Sequence, residues 1–515
     1  MGYLQSESQR RSRPMKIGMI VCFLSAVVMS VGAAQTVVLH NDEFVQHDGA
    51  RLTLGGEAFR YSGPNIEWLG IENYGPSETM GPRYPTHFET DDVLDTAKLM
   101  GARVIRAQTL GDSVGCDLCI EPKPGEFNPE AFRSIDYAVK AAHDRGLRYV
   151  ITLIGDCTYC DNGGIGQYTE WAGSKNMNDF FSDPKLIAMF EKHIAALLDH
   201  KSTLTGIALK DDPTIMAWEN CNMCGITGMI SGPNQGPALI KWVDTVGAFI
   251  KSIDKKHIYS DNSGLFLMNP RVLDDKTPDL VTAEYYPHFN ALFGMILGIK
   301  TTADSFSKDA AVVTSHGKAY SACEYGWDVT NWPTQDDFLA ALTAMESDPK
   351  ISGDGYWALY AHAPEYGWQP MVMPTNDIRH AKAAASDTGQ WWSLYYGGID
   401  TLVNSRDEMR ARTEMLRTHA FKIAGLPAPP HAVPPAPVIT TKSLGIVRWR
   451  GSAGAVNYSV ERAAPDGKWE LVCDRCAIDS DMGWPDLSPN GLMGPKYRVT
   501  AYNADGKASE PSAER

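Results

Sequence analysis

Three glutamates stand where short β-rich runs of this sequence end, and their carboxyl groups could carry out acid–base chemistry. Glu219 lies in "WENCN", Glu284 in "EYYPH" and Glu324 in "CEYGW". Two carboxylates that approach each other closely raise the pKa of one of them, and a carboxyl group that stays protonated near neutral pH can act as a general acid. The sequence therefore indicates an acid–base site if the fold brings these runs together.

The elements that must position these glutamates alternate between strand and helix from residue 59 to 360. Thr90 is expected to cap one helix, Asn128 with Pro129 to begin the next, and Gly146 to end it. Eight runs are typical of strands: 59–64, 103–108, 148–154, 214–219, 257–261, 280–285, 319–324 and 355–360. Eight strands separated by helices predict an α/β fold that closes into a (β/α)₈ TIM barrel.

Chemistry in such a barrel takes place at the carboxyl ends of the strands. Polar and aromatic residues accumulate at these predicted ends. They include Glu67 in "GPNIEW", Arg106, Asp156, Asn222, Asp261, Asn262, Tyr286 and Trp357. His288 and His362 are interpreted as loop or rim histidines. The rim is therefore the place where a functional site is expected.

A second, smaller domain is expected at the carboxyl terminus. Residues 426–437 are rich in proline and predict a stiff, extended linker. Beyond it, runs such as "NYSVERA" and "KYRVTAY" alternate as half-buried strands do, which predicts a small all-β sandwich of the fibronectin type III kind over 438–515. The barrel domain is then expected over 36–425.

The first 34 residues have the pattern of an export signal. Basic residues, among them Arg10 and Lys16, precede an apolar run from Ile17 to Met29, and Gly32-Ala33-Ala34 supplies the small residues of a cleavage site. We therefore expect a secreted or periplasmic protein that has no membrane contact after the signal is removed. We also expect the protein to be a monomer. The net charge of −15 argues against nucleic acid or anionic lipid as a partner, because either would repel this surface.

The cysteines form four C-x-x-C pairs: Cys116/Cys119, Cys157/Cys160, Cys221/Cys224 and Cys473/Cys476. In an exported chain such pairs favour short disulfides that shape loops, and the alternative is a zinc site built from two adjacent pairs. Cys323 remains as a buried free thiol in the disulfide interpretation.

The ordered motifs "DDPTIMAWENCN", "VTAEYYPH" and "ACEYGWD" resemble the catalytic strands of β-mannanase-like members of glycoside hydrolase family 5. The resemblance covers about residues 40 to 425. It implies a retaining double displacement on a β-linked polysaccharide or oligosaccharide, without a cofactor or a metal. In such a reaction one carboxyl group attacks the anomeric carbon, and the other delivers and then removes a proton.

The resemblance also implies roles for single residues. Glu324 matches the nucleophile and Arg106 matches the arginine that steadies it. Asn222 matches the asparagine that binds the substrate 2-hydroxyl, and Trp357 matches the platform under the sugar ring. Tyr286 and Glu67 are further expected substrate contacts.

The sequence departs from the family pattern at the acid/base position. The family pattern W-E-x-x-N-E ends in the acid/base glutamate, and this chain has Met223 there. The family pattern His-x-Tyr appears as Glu284-Tyr285-Tyr286, and Glu67 stands where an aromatic residue is more usual. A carboxyl lost at one rim position while others appear nearby suggests that the role has moved.

Three carboxyl groups compete for the acid/base role: Glu284, Glu219 and Glu67. Glu284 is favoured, because one strand spacing of about 4.8 Å suits a retaining pair with Glu324. Glu219 is a second candidate, although the matching family residue is structural. Glu67 is the third candidate, and the remaining alternative is that no acid/base exists. The resemblance, together with the export signal, thus implies an exported hydrolase of β-1,4-mannan or a related β-glycan, and the alternative is a catalytically silent carbohydrate-binding barrel.

Overall fold

A computed structural model describes most of the chain. The described residues are 41–72, 83–155, 163–225, 236–264, 268–298, 300–368, 393–401, 403–443, 445–480 and 482–515. The expected export signal over 1–34 lies outside them. Within these ranges, none of the helices combines the length and the apolar character that a membrane crossing needs.

Eight parallel strands form the barrel. They are β4 (Tyr61–Pro64), β5 (Val104–Ala107), β6 (Arg148–Thr152), β7 (Ile215–Glu219), β8 (Ile258–Asp261), β9 (Leu280–Tyr285), β10 (Ala319–Gly326) and β11 (Ile351–Trp357). Their order in the sheet is β4-β11-β10-β9-β8-β7-β6-β5. A parallel bridge between Asn65 and Arg106 joins the two ends of this series. The predicted TIM barrel is therefore confirmed.

Helices cover the outside of the barrel. They are α1 (His87–Leu99), α2 (Pro129–Arg145), α3 (Gly164–Ala172), α4 (Pro184–Asp199), α5 (Gly236–Ile253), α6 (Asn290–Leu297), α7 (Ala303–Ser315), α8 (Gln335–Ser347) and α9 (Arg406–Ile423). The main core lies between strands and helices and contains fully buried side chains such as Ile105, Ile151 and Trp218. Burial of these side chains holds the strand ends, and thus the site, in place.

The helix starts follow from local capping chemistry. Asn128 caps α2 with Pro129 at its first position, and Gly146 ends it in the left-handed conformation, as the sequence predicts. The prediction that Thr90 caps α1 is wrong. Thr86 is the cap, because its hydroxyl accepts from the Glu89 amide while the Glu89 carboxylate accepts from the Thr86 amide.

The last barrel strand begins earlier than the sequence pattern indicates. β11 runs over Ile351–Trp357, whereas 355–360 is the predicted run. Gly353 and Gly355 obscure the start of the strand, since glycine is uncommon in strands. Both are needed here: a Cβ at Gly353 would lie 2.2 Å from the Tyr61 ring, and one at Gly355 would lie 2.5 Å from the Cys323 carbonyl oxygen.

Three short strands precede the barrel: β1 (Gln46–Asp48), β2 (Arg51–Leu54) and β3 (Glu57–Ala58). They form a small antiparallel sheet. Leu52 and Leu54 pack with Val104, Val150 and Met216 in a separate apolar cluster. This sheet has no counterpart among the predicted strands, and it covers inward-facing side chains near the amino ends of the barrel strands.

The carboxyl-terminal part is all-β, which agrees with the predicted sandwich. Its strands are β12 (Val438–Ser443), β13 (Ile446–Arg450), β14 (Asn457–Ala463), β15 (Trp469–Ala477), β16 (Trp484–Pro485) and β17 (Tyr497–Tyr502), with the one-turn helix α10 (Pro489–Leu492). The two antiparallel sheets have the orders β12-β13-β16 and β15-β14-β17. Trp449, Tyr458, Val460 and Val499 are buried in the core that these sheets share.

Candidate active site

The predicted glutamates converge at the carboxyl ends of the barrel strands. Glu219 is the last residue of β7, and Glu284 and Glu324 lie near the ends of β9 and β10. Glu284 and Glu324 are direct partners in the register of these two neighbouring parallel strands. The barrel thus places two carboxyl-bearing residues side by side, on one rim.

Arg106, near the end of β5, connects four of the site residues. Its guanidinium donates to Glu219 Oε1 at 2.7 Å, to Glu324 Oε2 at 2.9 Å, to Asn222 Oδ1 at 2.7 Å and to Asn65 Oδ1 at 3.1 Å. The side chain is buried, and a buried cation needs such anionic and polar partners. Arg106 therefore fixes the relative positions of Glu219, Glu324 and Asn222.

Glu324 is held by two donors and keeps a small opening. Arg106 binds Oε2, and the Tyr286 hydroxyl donates to Oε1 at 2.5 Å. Its side chain is 7% exposed. Burial raises the pKa of Glu324, while Arg106 and the hydrogen bond from Tyr286 oppose the rise.

Glu284 has a different environment. It is 0% exposed. Burial, followed by the negative charge of Glu324, raises the pKa of Glu284 to about 8, although Arg106 and a hydrogen bond from the Asn262 side chain act in the opposite direction. Glu284 is thus the carboxyl group of the pair that is set to hold a proton at neutral pH.

Glu219 is also fully buried, but its oxygens are engaged. Besides Arg106, the Thr152 hydroxyl donates to Oε1 at 2.9 Å and the Thr282 hydroxyl approaches Oε2 at 3.4 Å. These contacts come from the neighbouring strand β6 and from β9. They suit a carboxylate that orients Arg106.

Met223 occupies a tight loop after β7. Its backbone has a φ of 54°, in the left-handed region, and its amide donates to Asn262 Oδ1 at 2.7 Å. The Asn222 amide donates to the Ile154 carbonyl at 2.8 Å. A disulfide between Cys221 and Cys224 closes this loop. The loop therefore presents the Asn222 side chain to Arg106 and carries no carboxyl group at position 223.

Residues after β4 and β11 form the opposite side of the site. The Tyr360 hydroxyl donates to Glu67 Oε1 at 2.8 Å, and Glu67 Oε2 has no partner among the described residues. Burial raises the pKa of Glu67 to about 7, against the hydrogen bond from Tyr360, and the charge of Glu324 adds to the rise. Trp357, the last residue of β11, is partly buried at this rim.

Some contacts of the site were not predicted. Asn65 binds Arg106 and also donates to the Cys323 carbonyl at 2.9 Å. Tyr360 reaches Glu67 from the segment after β11. Asn65 lies in the quoted motif "GPNIEW", so its position at the end of β4 was the available signal. His362 does not join the site, and it faces the carboxyl-terminal sandwich instead.

Three of the four C-x-x-C pairs are disulfides: Cys116–Cys119, Cys221–Cys224 and Cys473–Cys476. The fourth pair, Cys157/Cys160, lies outside the described residues, as does Asp156. Cys323 is a buried free thiol. Where the structure describes the chain, His, Cys, Asp and Glu side chains form no group of three or more that could hold a metal ion.

Comparisons with known proteins show which proteins this chain is similar to. Residues 42–266 match the family model described as GH family 5 beta-mannosidase-like. The chain is 28% identical over 251 residues to the putative mannan endo-1,4-beta-mannosidase 4 of Arabidopsis thaliana. The aligned residues cover 47% of this chain and 57% of that protein. It is 34% identical over 233 residues to mannan endo-1,4-beta-mannosidase 2 of Oryza sativa subsp. japonica, covering 44% and 49% of the two chains.

A solved structure shares the fold over a longer range. The endo-beta-1,4-mannanase from Thermotoga petrophila superposes with a TM-score of 0.52 at 18% identity and covers 89% of this chain and 98% of that chain. The chain spans about half the length of the curated relatives it matches.

Proposed function

We propose that this chain, whose residues 42–266 belong to the β-mannosidase-like part of glycoside hydrolase family 5, is a retaining hydrolase of a β-linked polysaccharide. The expected substrate is β-1,4-mannan. Glu324 is the proposed nucleophile and Glu284 the proposed acid/base. No cofactor takes part in this proposal.

The observation that carries the proposal is the register of Glu284 and Glu324 on adjacent parallel strands. Neighbouring strands lie about 4.8 Å apart, and the carboxyl groups of retaining glycosidases lie about 5–5.5 Å apart. A pair at this separation can attack one face of a sugar and protonate the leaving oxygen. An inverting pair needs a wider gap for water.

The environments of the two carboxyl groups support different roles. Glu324 accepts from Arg106 and Tyr286, and both donors favour its ionised, nucleophilic form. Glu284 is completely buried and lies beside the Glu324 charge, so its protonated form is favoured. In the first step Glu284 would give its proton to the leaving oxygen. In the second step it would take a proton from water.

The remaining rim residues would hold the sugar. Asn222 is oriented by Arg106 for the 2-hydroxyl, and Trp357 would form the platform under the ring. Glu67, with one free oxygen among the described contacts, would bind a hydroxyl of a neighbouring sugar. Glu219 would act on Arg106 rather than on the substrate, because its oxygens already accept hydrogen bonds.

A catalytically silent carbohydrate-binding barrel is the second candidate function. Two observations favour it: Met223 stands at the usual acid/base position, and Glu284 is 0% exposed. Such a protein would bind a glycan at this rim but could not protonate a leaving group.

Trapping of the glycosyl intermediate distinguishes the two functions. An activated 2-fluoro-mannoside needs little protonation, so the enzyme should form a covalent adduct on Glu324 that mass spectrometry locates by peptide mapping. The Glu324→Gln variant is the matched control and should gain no mass. Absence of an adduct with both 2-fluoro-mannoside and 2-fluoro-glucoside, alongside binding of mannan oligosaccharides, would favour the silent barrel.

We also propose that the protein is exported and acts as a monomer, with a barrel over 36–425 and a sandwich over 438–515. The three disulfides support export, because such bonds persist mainly in oxidising compartments. Amino-terminal sequencing of the mature protein should begin after Ala34, and light scattering should give the mass of one chain. A mature chain that starts at Met1 or Met15 would contradict export by this signal.

A further inference from the structure

The segment after β11 leaves the candidate active site and runs directly to the carboxyl-terminal sandwich. We call residues 358–368 the β11 loop. At its start, the Leu359 amide donates to the Asn65 carbonyl at 3.1 Å, and Tyr360 binds Glu67. Further along, His362 contacts the sandwich. One short segment therefore touches both the site and the second domain.

His362 bridges two carboxylates from different parts of the chain. Its Nδ1 lies 2.9 Å from Asp92 Oδ2 on α1, and its Nε2 lies 3.3 Å from Asp479 Oδ2 of the sandwich. The His362 amide also donates to Asp92 at 2.9 Å. The Tyr458 hydroxyl donates to Asp479 at 2.6 Å and so orients that carboxylate. All four side chains are buried.

The charges of His362 and of its two carboxylate partners are complementary. Burial alone would lower the pKa of His362, but the attraction of Asp92 and Asp479 raises it to about 10. The imidazole is therefore a cation at neutral pH between two anions. A buried ion pair of this kind is sensitive to the loss of one partner, since the other charge is then left uncompensated.

Other contacts seat the sandwich on the same loop. Arg450 donates to the Pro364 carbonyl at 2.6 Å, and Thr440 binds the Glu365 carbonyl. The approach is close: a Cβ at Gly451 would lie 2.1 Å from the His362 ring, and one at Gly367 would lie 2.6 Å from the Asp479 side chain. The sandwich therefore contacts residues 362–367 at both their side chains and their backbone.

We propose that the sandwich is a positioning element of the active site, in which Asp479 acts through His362 to fix Tyr360 and Trp357. Tyr360 lies two residues before His362, and Trp357 lies three residues before Tyr360, so a shift of the imidazole moves the rim directly. Asp479 touches no substrate in this scheme. The proposal rests on the proposed function, because it assigns Asp479 a role in glycan hydrolysis.

The test uses the full-length chain with Asp479→Asn, which keeps the size of the side chain and removes its charge. Asp466→Asn is the matched control, since Asp466 is an exposed aspartate in a turn of the same sandwich. Hydrogen exchange of peptides that span 357–368 should accelerate at least about tenfold in Asp479→Asn and stay unchanged in Asp466→Asn. This readout needs no substrate.

Kinetics provide the second readout. In Asp479→Asn, kcat/KM on mannan should fall by about tenfold or more, because small displacements of substrate-binding groups are costly. A purely structural aspartate would lower the melting temperature while the folded enzyme kept wild-type kcat and KM. That result, together with unchanged exchange over 357–368, would overturn the proposal.

A second variant and a measurement that needs no substrate separate failure of this proposal from failure of the proposed function. If Asp479→Asn does not fold, Tyr458→Phe removes only the hydroxyl that orients Asp479, and it should accelerate exchange over 357–368 in the same direction to a smaller extent. Unchanged exchange in that variant would overturn the proposal. If the wild-type protein neither hydrolyses mannan nor forms an adduct, the proposed function fails, and exchange alone decides whether Asp479 fixes the loop.

Discussion

Glu284 and Glu324 are neighbours in different environments, and this difference sets an expected pH dependence. Glu284→Gln keeps the side-chain shape and removes the proposed proton donor. We expect kcat/KM on mannan to fall by about 10²–10⁴-fold, the usual contribution of a general acid. Hydrolysis of an aryl mannoside with a good leaving group should fall much less, because that bond breaks without protonation.

The wild-type pH profile provides the matching measurement. Glu284 must be protonated to donate, and burial raises its pKa to about 8, so the rate on mannan should decline as the pH rises through that value. Initial rates across the pH range should show this decline in the wild type and not in Glu284→Gln. Equal losses on mannan and on the aryl mannoside would count against an acid role for Glu284.

Met223 offers a rescue experiment at the position where the family carries its acid/base. The residue already has a left-handed φ of 54°, so exchange for another unbranched side chain adds no new backbone requirement. Met223→Glu alone should stay within about tenfold of wild type, because the proposed donor Glu284 is still present. In the Glu284→Gln background, Met223→Glu should restore part of the lost activity on mannan, whereas Met223→Gln should not. A large gain from Met223→Glu alone would instead indicate that the wild type lacks an acid.

For the single residues of the site, the position on the barrel rim could be predicted from the sequence, but the contacts between side chains could not. Strand ends placed Arg106, Glu219, Glu284 and Glu324 on one rim, because all parallel strands of a barrel end on the same side. The contact from Tyr360 to Glu67 depends on how the loop after β11 returns to the loop after β4. No local pattern encodes that path.

Among the elements, α1 allows a direct stability test. Thr86 and Glu89 form a capping box, and Arg83 binds the same glutamate. Thr86→Ala removes the cap and should lower the free energy of unfolding by about 1 kcal/mol. Chemical denaturation measures this change. Thr245→Ala in the middle of α5 is the control and should change the stability by less than about 0.5 kcal/mol.

The elements also illustrate which signals in a sequence are local. Asn128, Pro129 and Gly146 act on their own helix, so the bounds of α2 were predictable. The start of β11 was not predictable, because Gly353 and Gly355 have a low strand propensity. They are needed there because Tyr61 and Cys323 approach the strand too closely for a Cβ atom. The cap of α1 was misplaced for a simpler reason: two threonines, Thr86 and Thr90, each precede helical residues, and only the first has Glu three residues later.

For the whole molecule we predict a loss of stability in alkaline solution. Burial alone would lower the pKa of His362 and of His419, but their carboxylate partners raise these pKa values to about 10 and about 9. Both exceed the unfolded value, so the stabilisation is complete below about pH 6.5 and disappears as the pH rises through the folded pKa values. Melting temperatures measured from pH 6.5 to 9.5 should therefore fall steadily. His362→Gln should melt lower at pH 6.5 and show a shallower decline, and an unchanged slope would contradict the assignment to His362.

The order of an α/β barrel followed by an all-β part could be predicted from the sequence, because a proline-rich stretch separates two different periodicities. The docking of the sandwich could not be predicted. It depends on His362 meeting Asp479 across 117 positions of sequence, and a rim histidine carries no mark of such a partner.

The proline-rich stretch over 426–437 gives this docking a property that the contacts alone lack. It is mostly exposed, and it keeps the sandwich near the barrel at an effective concentration on the order of millimolar. A protease that cuts there would leave every contact of the β11 loop in place at first. The activity per molecule of the cleaved protein should then fall on dilution, because the barrel and the sandwich would dissociate. The activity per molecule of the intact chain should not depend on the protein concentration.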